Sequence, residues 1–382
     1  FDASLPYRLT AGQEEVGETL FEELASERPM HRLLQGEVGS GKTLVALRAM
    51  LAVVDAGGQA ALLAPTEVLA KQHHASITSL LGGLGVAGTL EAHPHATQVA
   101  LLTGGLTAAN RRRARETVAS GEAGIVIGTH ALLSEDVGFA DLGFVVVDEQ
   151  HRFGVEQRAA LAAKSEHQPH TLVMTATPIP RSVAMTVFGD LETIELRDRP
   201  AGRAEVKTVF VDTARNPHWV DRAWERIREE VAQGRQAFVV CPAISGNKTE
   251  GELEAGTGLS AVTEITPMLT EGPLKGLRVG MVHGRQATAE RDRTMRAFTA
   301  GELDVLVSTT VIEVGVDIPN ASVMVVLDAD RFGIAQLHQL RGRIGRGRHP
   351  GLCLLLAAPA PDALTAVDRL QALVSSTDGF EL

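Results

Sequence analysis

Strand-sized apolar runs recur along the chain, each followed by a longer stretch in which apolar residues return at helical spacing. In the first half the runs lie at 31–35, 60–65, 99–104, 125–129, 142–149 and 171–177. This alternation predicts βαβ units and a parallel sheet covered on both faces. Ahead of the first run, Thr10 is placed to cap a helix running from Gln13 toward Leu24. The stretch 195–204, charged and broken by Pro200 and Gly202, marks a boundary. A second series of runs follows at 205–211, 236–242, 278–284, 304–309, 322–329 and 351–358. Asn216-Pro217 opens a helix there whose Trp219 and Trp224 read as packing anchors. Residues 245–276 are rich in Gly, Thr and Glu and show no period, so they read as a surface insertion. The expected class is α/β, with a first domain at 1–196, a linker at 197–204 and a second domain at 205–382.

The first-domain runs end in small or polar clusters: Pro65-Thr66-Glu67, Thr103-Gly104-Gly105, Gly128-Thr129-His130, Asp148-Glu149-Gln150-His151 and Thr175-Ala176-Thr177. In an open parallel sheet the carboxyl ends of the strands are where ligands bind. Gly36-Glu37-Val38-Gly39-Ser40-Gly41-Lys42-Thr43, between an apolar run and a helical pattern, matches the phosphate-binding loop at every fixed position. Gly36, Gly39 and Gly41 let backbone N–H groups turn toward a polyphosphate. Lys42 supplies charge for the β- and γ-phosphates of ATP, and Thr43 a hydroxyl for Mg²⁺. Three apolar residues, Val145 to Val147, lead to Asp148 and Glu149, the first suited to Mg²⁺ and the second to orienting water. His151 is open to three roles, general base, coupler or bystander, and coupler is favoured because Glu149 fills the water-orienting place. Gln13 has the donor and acceptor that adenine needs, with Tyr7 beside it to pack on the base; spacing alone makes it an ordinary surface glutamine. In the second domain Arg343 and Arg346, three apart on an expected helix, suit the charge of a phosphoryl-transfer transition state reached across an interdomain cleft. A surface basic patch is the plainer reading.

Composition changes this picture little. With 382 residues the chain exceeds one ordinary core, and no apolar run approaches a bilayer span. The first residue is Phe1, with neither an initiator Met nor a signal-peptide pattern, so a piece of a longer protein is expected. Cys241 and Cys353 sit in apolar runs, which points to buried thiols, a reducing cytoplasmic setting and no zinc site. His93-Pro94-His95 reads as a loop rather than a metal site, having no third ligand at a useful spacing. A net charge of −11 speaks against nucleic acid, yet positive charge is concentrated at Arg111, Arg112, Arg113 and Arg115 and at Arg341, Arg343, Arg346 and Arg348. The first of these clusters reads equally as a solvated helix face.

Taken together, Gly36 to Thr43, Asp148-Glu149-Gln150-His151, Thr175-Ala176-Thr177 and Gln339 to Arg346 resemble superfamily 2 helicases. The linking segments resemble the bacterial fork-remodelling DNA translocases of that superfamily nearly end to end, among them Ala-Pro-Thr-Glu-Val-Leu-Ala at 64–70 and the stretches 309–319 and 331–339. The transcription-repair coupling translocases share Arg-Phe-Gly and Gln-Leu-His-Gln-Leu-Arg-Gly-Arg and stand as the nearest alternative. A nucleotide-dependent clamp without net movement is an alternative of a different class. The resemblance implies two tandem RecA-like domains, ATP with Mg²⁺, double-stranded and branched DNA, and a monomeric motor. It makes Gln13 the adenine reader, with Gly315 and Asp317 joining the nucleotide contacts. Gln150, His151, Thr175, Thr177 and Gln339 become coupling residues. Pro65, Thr66, Thr103, Gly104, Thr129, Cys241, His283, Gly284 and Thr309 become a track along the DNA backbone. The family pattern also has an oligonucleotide-binding wedge before the motor and a helical hairpin after it, both expected outside these residues.

Overall fold

The computed structural model describes residues 1–87, 93, 95–148, 167–175, 191–198, 205–242, 262–309, 318–347, 349–360 and 363–376. Glu149, Gln150, His151, Thr177, Gly315 and Asp317 lie outside them. The chain divides into two compact units, Phe1–Pro200 and Ala201–Leu382.

In the first unit helix α1 (Ala11–Leu24) opens on a reciprocal cap: the Thr10 hydroxyl accepts from Gln13 N–H, while the Gln13 side chain accepts from Thr10 N–H. Strand β1 (His31–Gly36) leads to α2 (Lys42–Asp55), then β2 (Gln59–Leu63), α3 (Glu67–Leu81), β3 (Val99–Leu102), α4 (Ala108–Ala119), β4 (Ile125–Gly128), β5 (Leu142–Asp148), β6 (His170–Thr175) and β7 (Glu192–Leu196). The seven strands form one sheet in the order β3-β4-β2-β5-β6-β1-β7, with parallel pairing throughout. Alternation along each strand divides its side chains between two cores. Leu34, Leu62, Val146, Leu172 and Met174 face one core with α1, α2 and α3 residues. Leu33, Ala61, Leu63, Val145, Val147 and Val173 face the other, with Val118 of α4. Each such side chain contributes about 1.5–3 kcal/mol of burial. Strand β7 falls where the sequence pattern marks a boundary, and it pairs with β1 from Arg32↔Glu192 to Gly36↔Leu196.

The second unit contains β8 (Val206–Asp212), α5 (His218–Ala232), β9 (Gln236–Val240), α6 (Val262–Glu271), β10 (Val279–Val282), α7 (Thr288–Thr299), β11 (Val305–Ser308), β12 (Ala321–Val326), α8 (Ile334–Arg341), β13 (Gly351–Ala357) and α9 (Leu364–Ser375). Its six strands lie in the order β10-β11-β9-β12-β13-β8, again all parallel. Replacing each strand by its counterpart turns this order into the first six strands of the other sheet, so the two units share one topology. They are two RecA-like domains. A matching pair of buried glutamines begins β2 and β9. The Gln59 amide donates to the carbonyls of Val118 and Ala123, which close the helix-to-strand turn before β4. The Gln236 amide does the same for Phe298 and Leu303 before β11.

Two expectations are corrected here. The stretch 245–276 is not featureless: its described part holds α6, which buries Val262 and Leu269 in the second unit's core, with Leu274 following. The two tryptophans part company, Trp224 packing into that core while Trp219 is 46% exposed. Among the described residues, no helix is long and apolar enough to cross a membrane.

Candidate functional site

The glycine-rich turn between β1 and α2 is shaped for close approach. Gly39 and Gly41 have φ of 84° and 92°, the left-handed region that favours glycine. A Cβ on Gly41 would lie 2.2 Å from the Gln13 side-chain nitrogen, and one on Gly36 would lie 3.0 Å from the Leu196 carbonyl oxygen. The start of α2 carries the positive end of the helix dipole, and there Leu44 N–H turns back to the Gly41 carbonyl at 2.9 Å. Lys42 Nζ donates to the carbonyls of Gly36 at 2.7 Å and Glu37 at 2.9 Å, so the ammonium lies over the turn. Thr43 is half-buried at the second position of α2.

Gln13 departs from the plain reading of a surface residue. It is 3% exposed, and its Nε2 donates to the Ser40 carbonyl at 2.8 Å. The amide therefore caps α1 with one end and braces the phosphate-binding turn with the other. Asp198 reaches the same helix start, its Oδ2 accepting from Gly12 N–H at 2.6 Å. Tyr7 is 51% exposed on the approach to α1, beside Glu14 and Arg48.

Register sets the carboxylate beside this turn. Asp148 pairs with Met174, and Gln35 pairs with Thr175, so the ends of β5, β6 and β1 reach one edge together. Strands are spaced about 4.8 Å apart, which puts the ends of β5 and β1 roughly 10 Å from each other. Asp148 is 9% exposed, and its Oδ2 lies 2.7 Å from Nε2 of His73 on α3. An ionised carboxylate only accepts, so that ring nitrogen carries the hydrogen. Sequence reasoning missed His73, since nothing in a lone helical histidine points to a strand 75 residues away. The turn, Lys42, Thr43 and Asp148 make a donor set of N–H groups, ammonium, hydroxyl and carboxylate. That set fits a polyphosphate with a hard divalent cation such as Mg²⁺.

The positions implied for a DNA track divide. Pro65 and Thr66 are half-buried where β2 meets α3, and the Thr66 hydroxyl caps that helix by accepting from Leu69 N–H. Gly104 is exposed; its carbonyl accepts from Arg111, and the next N–H, of Gly105, donates to Glu67 at 2.7 Å. His283 is half-buried and Gly284 exposed after β10. Thr103, Thr129, Thr309 and Cys241 are buried, Thr103 and Cys241 completely. The Thr103 hydroxyl has no hydrogen-bond partner among the described residues. Burial, with Asp328 adding to it, pushes the Cys241 thiol up to about 12. Both side chains are enclosed in this structure, and the Cys241 N–H donates to the Ser308 carbonyl at 2.8 Å. Thr175 and Gln339 are buried as well.

The arginine cluster is also not as expected. Helix α8 ends at Arg341 with Gly342 as its cap, and Gly345 takes a φ of 66°, so Arg343 and Arg346 sit on a glycine-broken turn rather than one helical face. Arg341 is 4% exposed and donates to the carbonyls of Leu373 and Ser376, holding the end of α9. Arg343 is 5% exposed, which excludes a surface patch there, and Arg346 donates to the Gly342 carbonyl.

Comparison with known proteins agrees with this geometry. The family model described as DEAD/DEAH box helicase matches residues 10–186, and that of the helicase conserved C-terminal domain matches 222–348. Over 381 residues the chain is 57% identical to the "ATP-dependent DNA helicase RecG" of Mycobacterium bovis, covering 99% of this chain and 51% of that protein. The chain is similar to RecG helicases over nearly its whole length. It is 42% identical to the protein of the same name from Bacillus subtilis, of which it covers 52%. A solved "Structure of RecG bound to three-way DNA junction" superposes with a TM-score of 0.80 at 39% identity, over 99% of this chain and 46% of that one. The chain thus spans about half the length of the RecG relatives it matches.

Proposed function

We propose that the chain is an ATP-driven motor that translocates on double-stranded DNA and remodels branched DNA, such as stalled forks and Holliday junctions, in recombination and repair. The observation that carries this reading is the phosphate-binding turn, with Lys42 lying over it and Asp148 at the same sheet edge, in a chain so close to proteins named as ATP-dependent DNA helicases. The solved relative bound to a three-way junction supports branched DNA as the substrate class.

In this reading the turn N–H groups and Lys42 hold the β- and γ-phosphates, and Gln13 and Tyr7 meet the adenine. Gly315 and Asp317 complete the nucleotide contacts. Thr43 and Asp148 are the residues that would hold Mg²⁺, which when bound neutralises charge between the two phosphates. Glu149 orients the attacking water. Arg346 and Arg343 lend positive charge during hydrolysis. Gln150, His151, Thr175, Thr177 and Gln339 relay the state of the nucleotide to the DNA contacts. Pro65, Thr66, Thr103, Gly104, Thr129, Cys241, His283, Gly284 and Thr309 line a track along the DNA backbone that holds phosphates without reading bases. The motor works as a monomer, in the reducing cytoplasm that suits its two buried thiols.

The test is ATPase rate without DNA and with single strands, duplex and forks, joined to displacement of a triplex-forming strand by translocation. DNA-stimulated hydrolysis with triplex displacement is the expected result. Hydrolysis without displacement would make the chain a nucleotide-dependent clamp, and no DNA stimulation would overturn the reading. Binding to DNA should weaken steeply between 50 and 200 mM salt, by roughly tenfold or more for a handful of phosphate contacts.

A further inference from the structure

Helix α3 joins two places that the proposed function keeps apart. At its first turn are Thr66, which caps it, and Glu67, whose carboxylate accepts from Gly105 N–H at 2.7 Å. Glu67 thereby ties the Pro65-Thr66 contact to the loop carrying Gly104, so the two track segments are held by one helix end. Two turns on, about 10 Å along the axis, His73 is 8% exposed and holds Oδ2 of Asp148 at 2.7 Å. The next residue, His74, donates from Nε2 to the Val99 carbonyl at 3.2 Å and fastens the same helix to β3. Tied to its neighbours at its first turn and again at mid-helix, α3 carries both sets of contacts on one continuous helical segment, and Asp148 Oδ2 is committed to it. Hydrogen bonds from neighbouring groups orient metal-holding carboxylates, and losing such a partner weakens metal affinity or activity by 10–100-fold.

We propose that His73 is a positioning residue that carries the state of the DNA-gripping end of α3 to the carboxylate that holds the divalent cation. It touches neither nucleotide nor DNA. Its Nε2–H fixes which Asp148 oxygen faces the cation, so a shift of α3 on DNA binding re-aims that oxygen. The inference rests on the nucleotide and track assignments above.

The test measures binding of a fluorescent ADP analogue to the whole chain, titrated with Mg²⁺, with and without duplex DNA, alongside ATPase rates. In His73→Ala, analogue affinity without Mg²⁺ should stay within twofold of wild type. The Mg²⁺ concentration for half-maximal tightening should rise about tenfold, and the change in analogue affinity caused by DNA should fall at least fivefold. His73→Gln, which returns a side-chain N–H to the same place, should restore most of both. Wild-type Mg²⁺ dependence and DNA coupling in His73→Ala would overturn the proposal. So would equal loss in both variants together with a lowered melting temperature, because that marks a purely structural role. Asp148→Asn serves as the control: if it too leaves the Mg²⁺ dependence unchanged, the cation site itself is wrong, whereas a loss there with none in His73→Ala removes only the role of His73.

Discussion

The substitution Gly41→Ala isolates what the phosphate-binding turn demands of its backbone. Gly41 has φ of 92°, and the added methyl would sit 2.2 Å from Gln13 Nε2. Holding a residue with a Cβ in the left-handed region costs about 1–2 kcal/mol. Expelling the Gln13 amide breaks its bond to the buried Ser40 carbonyl, which adds about 1–3 kcal/mol for the group left unpaired. A total near 3 kcal/mol corresponds to roughly a hundredfold loss in nucleotide affinity, because only the strained turn is competent to bind. Titration of a fluorescent ADP analogue reads this directly, and a thermal melt should show a smaller effect, since the turn relaxes when nothing holds it. The clash component is separable: in Gln13→Ala/Gly41→Ala the methyl meets no amide, so the combined loss should fall short of the sum of the two single losses by about 1–2 kcal/mol. Affinity within threefold of wild type in Gly41→Ala, or strict additivity in the double variant, would refute the claim that Gln13 and Gly41 are packed as one unit.

Lys42→Ala should weaken ATP binding and hydrolysis together, while Glu149→Gln should retain binding and slow hydrolysis; nucleotide titration beside single-turnover rates separates the two. Arg346→Ala should keep nucleotide affinity within roughly tenfold and lose on the order of a thousandfold in turnover. Arg343→Ala should show the same loss and, being buried, a lower melting temperature as well. Loss of DNA affinity alone in both would place the pair in a DNA contact. Burial raises the thiols of Cys241 and Cys353 from an ordinary value of 9.0 to about 12. A raised folded value means that their contribution to stability is complete below pH 9 and is lost as pH rises toward 12. Denaturant melts should therefore be insensitive to Cys241→Ala near pH 8 in their pH slope, and wild type should lose stability more steeply than the variant between pH 9 and 12.

The sequence showed most where chemistry and period coincide. The runs that became β2 to β6 and β9 to β13 are largely apolar, as strands covered on both faces must be, β1 and β8 keep apolar centres despite Arg32 and Lys207, and Gly36 to Thr43 is a motif whose spacing is itself the geometry. Strand β7 escaped notice because only Leu196 of its five residues is buried, so it lacks the continuous apolar signal of the others. Helix α6 hid behind Pro267 and a Thr-rich composition, although Val262, Ile265 and Leu269 carry a helical period. The turn at Arg343 needed the φ of Gly345, which no spacing rule supplies. The likeness of the two units was written in plain view, as Gly-Gln-Ala at the start of β2 and Arg-Gln-Ala at the start of β9, but two residues of agreement mean little until the amides of Gln59 and Gln236 are seen making the same bonds.

That shared design invites a look at the one turn where the halves differ most. In the first sheet the strand beside β6 opens into the glycine-rich bend in which Gly39 and Gly41 take positive φ. In the second, the matching strand β8 ends in Asp212, and its own carboxylate accepts from the N–H groups of Ala214 and Arg215. In the second unit the chain thus supplies its own anion at the end of the matching strand. Glycines placed in that turn would not by themselves open an anion site, since a tethered carboxylate would outcompete any anion that diffuses in.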